Sequence, residues 1–407
     1  MKVTVRPLES ADIPGLDALR MTVYAHMPES RYVEWHASIW RWLESHPAAA
    51  EALHRWVLVT EEGEVVGHLA ATPQYYRING QRVLAHTPAD YQVLPEYGFH
   101  ALLLMRKFFR TAENCVACDM VPAVIQVETR LGAEVAGDLH YAAKLLNVSR
   151  LPVPPVPAPI RKLLNLKDPA APARGYDVPS EVEPSEAQEQ DALPPPRPRV
   201  PIPEPIKGLL NGGLRLVDEA LGSVFGSSLK VEVLDGFDES FDVLFEKVAS
   251  KVPCLPEKNA AFLRWRYGPG SPQTPVTILG VRGEEGLLGY AVLGVTVETP
   301  GNGFRDAYIL DLVTLPGRRD VARALLWQAI RHFRGAGTPI VRYRFLMSPT
   351  SSHSGDLWPL GFFYRNKRRN TLLTKFADRG LHKTANDASN WAYSIGDGEA
   401  AFWLKLH

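Results

Sequence analysis

Two aspartates open similar stretches 221 residues apart: Asp90 in "DYQVLPEYGFHALLL" and Asp311 in "DLVTLPGRRDVARALL". In each, a strand-like run ends at Leu-Pro and gives way to a helical pattern. A strand that breaks sharply into a helix leaves unpaired N–H groups at the helix start. Those groups and the helix dipole suit an anion, phosphate above all. Arg318 and Arg319 lie in the second break and Arg323 in the first turn beyond it. Guanidinium forks match phosphate oxygens. Seven arginines and one acid, Asp320, fall between Arg318 and Arg344, so this is the one strongly basic locus.

Elsewhere the charges balance, with 45 Lys+Arg against 45 Asp+Glu. No whole-chain field attracts nucleic acid or an anionic membrane. No apolar run is long enough to span a bilayer, and the N-terminus "MKVTVRPLESADIP" lacks the apolar core of a signal peptide. The expected location is cytoplasmic. Three cysteines, Cys115, Cys118 and Cys254, are too few and odd in number for a disulfide framework. "CVAC" has no second cluster to complete a zinc site and reads as part of a buried strand, so no metal is expected. "GPGSP" and "GNG" are turns, and "SSHS" lacks a nucleophile elbow.

The elements that must position these residues fall into two similar runs. Residues 1–148 read as strand, two helices, strand–turn–strand, a strand bent near Pro88, a long helix, a strand, a helix and closing strands. Asp12 is placed to cap the first helix. Residues 230–407 repeat the plan, with "TLLTKFAD" and "NWAYSIGDG" as candidate closing strands. Between them, 149–229 holds sixteen of the 34 prolines. Prolines without N–H donors dictate an extended, largely disordered spacer, a docking segment for a protein partner. Its end, 206–226, has Leu210, Leu214, Val217, Leu221 and Val224 at helical spacing. Its glycines require that this amphipathic helix dock on a domain to persist.

Three landmarks recur in one order: Gly67-His68 and Gly289-Tyr290, Asp-x-x-x-Leu-Pro at Asp90 and Asp311, and Leu131-Gly132 and Leu360-Gly361. That is the mark of an internal duplication. The element order, "VLPEYGFHALLL" and "TLPGRRDVARALL" in place of a pyrophosphate loop, and "TRLGAE" and "WPLGFF" after the last helix resemble the GNAT acyltransferases. "FLRWRYGPGSP" resembles a two-domain subgroup of that family.

The resemblance implies a mixed α/β chain with two tandem GNAT-like domains joined by the Pro-rich linker. It implies acetyl-CoA, or another acyl-CoA, as co-substrate and a primary amine as acceptor, on a cell-surface glycan precursor, amino acid or peptide. The cofactor would contact Leu312, Val313, Thr314, Arg318, Arg319, Val321, Ala322 and Arg323 in the second half, and Gly98, Phe99 and His100 in the first. The second half, with its arginines, is the better cofactor candidate. Asp311 and Asp90 would serve as bases. The family's tyrosine acid is replaced by Glu128 and Leu357, leaving Tyr364, with Tyr343 and His353 nearby, as the acid. Asp320 stands where the family has a backbone-exposing glycine. These departures leave a second class open: a catalytically inactive tandem protein that binds or scaffolds through its linker.

Overall fold

The computed structural model describes residues 2–25, 33–150, 204–298, 305–365 and 369–406. The proline-rich stretches and the acidic segment between them lie outside the described residues. The first half supplies β1 (Val3–Pro7), α1 (Ile13–Val23), α2 (Val33–Glu44), α3 (Ala49–Ala52), β2 (His54–Thr60), β3 (Val65–Ile78) and β4 (Gln81–Val93). It continues with α4 (Ala101–Thr111), β5 (Cys115–Asp119), α5 (Pro122–Arg130), β6 (Glu134–Asp138) and β7 (His140–Leu145). The helix read at 206–226 is α6 (Glu204–Phe225). The second half supplies β8 (Glu232–Leu234), α7 (Glu239–Ala249), β9 (Cys254–Pro256), α8 (Ala260–Tyr267), β10 (Thr277–Gly283) and β11 (Gly286–Val295). After these come β12 (Ala307–Thr314), α9 (Arg319–Gly335), β13 (Ile340–Phe345), α10 (Ser354–Leu357), β14 (Phe363–Tyr364), β15 (Thr371–Lys375) and α11 (Arg379–Ala385).

Two mixed sheets result. One runs β1-β2-β3-β4-β5-β15-β6, with β9 added against β3; the other runs β14-β7-β13-β12-β11-β10-β8. The halves therefore exchange strands, the second half giving β9 and β15 to the first sheet and the first half giving β7 to the second. Strand β15 from the second half sits between β5 and β6, and β7 from the first half sits between β13 and β14. Each sheet is thus completed only by the other half of the chain.

In both sheets a central antiparallel pair leads to a parallel neighbour that soon diverges. Strand β4 pairs with β5 only through His86 and Cys115, and β12 pairs with β13 only over Ala307–Ile309. Each sheet has helices on both faces. Leu69 and Ala71 of β3 face α4 and α5, whereas Ala70 faces α2. In the second half, Ile309 and Leu312 face α9, whereas Leu310 and Val313 face α7 and α8. Among the described residues, no helix is long and apolar enough to cross a membrane.

Two local expectations are corrected and a third is met. Asp12 does not cap α1 with its side chain; it binds Arg6 and the Glu9 N–H instead. "NWAYSIGDG" is not a closing strand. It makes isolated bridges, Trp391 to Cys254 and Ser394 to Phe345, then a short turn of 3-10 helix at Ile395–Asp397. Helix α6 docks, as its glycines require, through Asn211, which accepts from the Val148 N–H, Asp218, which binds Lys144 and Arg334, and Gly222, which packs on Trp327, with Leu214 and Leu221 half-buried.

Candidate active site

Both sequence-marked aspartates lie on the central strand of their sheet, beside a β-bulge. The register slips opposite Asp90–Tyr91 in β4 and at Leu310 in β12. Asp90 has φ 53°, a left-handed conformation uncommon for a residue other than glycine. Its surroundings hold it there. Arg20 donates to its carboxylate at 2.8 Å, His36 Nε2 lies 3.3 Å away and His68 Nδ1 3.2 Å away. Its own N–H donates to Glu399. Burial pushes the Asp90 carboxyl up, but His36 and His68 outweigh that and hold it well below the usual carboxylate range. Such a group is a poor proton acceptor near neutrality and a good electrostatic anchor.

Asp311 is buried likewise. Lys258 donates to it at 2.7 Å, the Tyr290 hydroxyl at 3.1 Å and the Ser394 hydroxyl at 3.2 Å. Lys258 also bridges to Asp397 at 2.9 Å, whose carboxyl burial raises to about 6. A small cavity of about 20 Å³ adjoins this cluster, walled by Phe241, Leu244, Phe245, Val248 and Val313, with Lys258 and Tyr290 at its polar end.

The anion cradle expected in the second half is closed by the protein itself. Thr314 N–H donates to the Thr350 carbonyl and Gly317 N–H to Pro349, both at 2.8 Å. Val321 and Ala322 N–H groups turn back to the Arg318 carbonyl. Arg318 binds Asp320 in a fork. Arg319 and Arg323 converge on Asp356, whose carboxylate is fully buried. Leu312 faces the α9 core and Val313 faces α7. Tyr364 stands on edge strand β14, with β7 and β13 between it and β12, so the structure does not bring it to Asp311. Tyr343, on β13 opposite Ile309, is fully buried.

The corresponding first-half segment, Pro95–His100, is a 3-10 helix that runs into α4; Gly98 has open space about it and Phe99 is 94 % exposed. Polar groups in this half lack protein partners: both oxygens of Glu128, both amide atoms of Gln92 and Nδ1 of His100. Glu128, on α5, is fully buried. Burial, then the charge of Asp119, raises its carboxyl to about 8. Its charge is felt on both of the diverging strands. After burial it is the next cause raising Tyr91 on β4, to about 12, and Cys115 on β5, well above its usual range. A carboxyl in this state is protonated at pH 7 and can donate.

On the opposite face, the C-terminal segment crosses both halves. Gly396 touches the Leu310 carbonyl of β12 and the Tyr267 hydroxyl so closely that a Cβ would lie 2.5 Å from that carbonyl oxygen. Glu399, three residues on, reaches Asp90 N and the Trp403 indole. Trp403 stacks on His36 at 5.6 Å between centroids. Burial raises Glu399 to about 7, although the Trp403 and Asp90 hydrogen bonds oppose it. The first sheet thus has a raised carboxyl, Glu128, on its α4–α5 face and a second raised carboxyl, Glu399 from the second half, on its α2 face. The sequence singled out the position of Glu128 only as a missing tyrosine, and gave no sign of Glu399, whose partner Asp90 lies 309 residues away.

No protein-family model and no curated protein sequence matches the chain. Solved structures do match. A GCN5-related N-acetyltransferase from Anabaena variabilis aligns over 94 % of this chain and 75 % of its own, with TM-score 0.52 and 13 % identity. N-myristoyltransferase of Saccharomyces cerevisiae with bound myristoyl-CoA aligns over 95 % and 89 %, with TM-score 0.51 and 11 % identity. A second GCN5-related N-acetyltransferase, from Kribbella flavida, gives 94 %, 73 %, 0.50 and 11 %. The chain therefore has the GNAT fold in two tandem sheets, as the sequence resemblance implies.

Proposed function

We propose that the protein is an acyl-CoA-dependent N-acyltransferase whose thioester site is the gap between β4 and β5 in the first half. The observation that carries this reading is Glu128, a buried carboxyl without a protein partner, raised to about 8 by burial, whose charge is felt by Tyr91 on β4 and Cys115 on β5. A buried polar group without a partner is costly in a folded protein and needs a reason. A ligand with hydrogen-bond acceptors in the gap supplies one. The exposed Gly98–His100 end of the 3-10 helix before α4 would hold the phosphates of the donor, and acetyl-CoA is the simplest donor.

The acyl thioester supplies the activated carbonyl. Glu399 takes the proton from the attacking amine on the α2 face, at a carboxyl poised near pH 7. The new C–N bond forms and the C–S bond breaks. Glu128 delivers its proton to the leaving sulfur, giving amide and free thiol. Asp90 positions Glu399 through its backbone N–H and balances Arg20. The acceptor is a primary amine, approaching past Trp403 and His36. In this reading the second half is the structural partner, its loop arginines held by Asp320 and Asp356.

Calorimetry with acetyl-CoA, followed by thiol release with a panel of primary amines, tests the proposal. Binding that is lost on Gly98→Trp and kept in an Arg318/Arg319 double alanine variant supports the first-half site. Binding to neither half would favour the scaffolding alternative instead.

A further inference from the structure

Helix α6 turns its apolar stripe outward. Leu209, Leu216 and Val224 are 78 %, 73 % and 71 % exposed, and Ile206, Leu210 and Val217 are exposed with them. At 100° per residue these six fall within one arc of about 120°. The helix is held to the protein by the flank beside that arc, through Asn211 and Asp218. A stripe of this size on a docked helix is a surface awaiting a partner.

The sequence names the partner. "PVPAPIRKLLN" at 155–165 and "PIPEPIKGLLN" at 201–211 are identical at seven of eleven positions, with Val/Ile and Arg/Lys exchanges at two more. The repeated apolar residues, Ile160, Leu163 and Leu164, match Ile206, Leu209 and Leu210, which α6 leaves bare. We infer that residues 155–166 lie on the exposed stripe of α6, apolar residue against apolar residue, so that the linker folds back on its own end.

Two further observations favour this occupant over a lipid surface or a second chain. The linker leaves the first half beside the helix it would cover: Val148 N–H binds Asn211 at 2.9 Å. The dozen residues from there to Ile160 span roughly 20 Å as a flexible chain, which makes the local concentration of the segment about millimolar. The charges also agree. Arg161, Lys162 and Lys167 accompany the first copy, and exposed Glu219 lies beside the stripe. The exposed charges of α6 itself give no net basic face to draw it to anionic lipid.

The test uses the full chain with Leu163→Cys and Leu210→Cys. The native Cys115, Cys118 and Cys254 are buried and stay unreactive. Mild oxidation is expected to join 163 to 210 within the monomer at least ten-fold faster than 163 to a control Lys230→Cys. Deleting 155–166 is expected to raise binding of an apolar dye several-fold, and Leu209→Asp with Leu216→Asp to abolish the increase. Cross-linking between chains would show that a second copy covers the stripe and overturn the inference. Co-sedimentation of the intact chain with phosphatidylglycerol vesicles, lost with Leu209→Asp, would overturn it in favour of lipid. Equal rates for 210 and 230, with dye binding unchanged by the deletion, would leave the stripe bare and also overturn it.

Discussion

Replacing Glu128 by Gln tests the proposed acid through folding alone. The carboxyl moves from an ordinary value of 4.5 to about 8 on folding, chiefly by burial. Between those values the folded chain keeps a proton that the unfolded chain has released. Stability contributed at this site is therefore greatest below pH 4.5 and declines as pH rises towards 8, then levels off. Gln does not titrate, and the remaining groups largely cancel in the difference between variant and parent. Over pH 5 to 8 the difference should move in favour of Glu128→Gln by roughly 3 kcal/mol. Urea unfolding at pH 5, 6, 7 and 8 reads this directly. The absolute offset is not diagnostic, because the Gln amide enters the same unsatisfied site; the slope is. A flat difference would mean that Glu128 ionises at its ordinary pH in the folded protein, and the proton-donor role would fall with it.

Other expectations follow from the same contacts. Glu399→Gln should cut amide formation by about 10²-fold or more and remove the low-pH limb of the kcat/KM profile near 7; an unchanged profile would exclude Glu399 as base. In the parent that profile should be bell-shaped, rising through about 7 and falling through about 8. Asp90→Asn leaves buried Arg20 without its carboxylate and should lower stability by about 3–5 kcal/mol in chemical denaturation. In the parent, the Asp90 contribution is present at neutral pH and is lost as pH falls below 3.8 towards its depressed value. Arg319→Ala with Arg323→Ala strands the buried Asp356 and should cost roughly 1–3 kcal/mol, with acyl-CoA affinity unchanged; a large loss of affinity would return the donor site to the second half.

Much of this architecture can be read from the residues. Period-two runs and capped helices mark most of the elements, and the Asp-x-x-x-Leu-Pro pair locates both central strands. The bounds expected for α6, 206–226, nearly match Glu204–Phe225. What the residues do not show depends on partners distant in the chain. The exchange of β7 and β15 is invisible because alternation tells which face of a strand is buried, not which strand lies beside it. The arginines of "PGRRDVAR" look like an anion site until Asp356, more than 30 residues away, is seen to hold two of them. Alternation in "NWAYSIGDG" suggests a strand, yet Gly396 is there to pass close to β12. Glu399 becomes chemically interesting only because the chain brings it to Asp90.

The central claim is that the thioester lies in the first-half gap, beside Glu128. Crystals of the protein soaked with coenzyme A would test it most directly. Coenzyme A is expected with its phosphates at Gly98–His100 and its sulfur near the Glu128 carboxyl. Coenzyme A bound between β12 and β13, against Arg318 and Arg319, would contradict it.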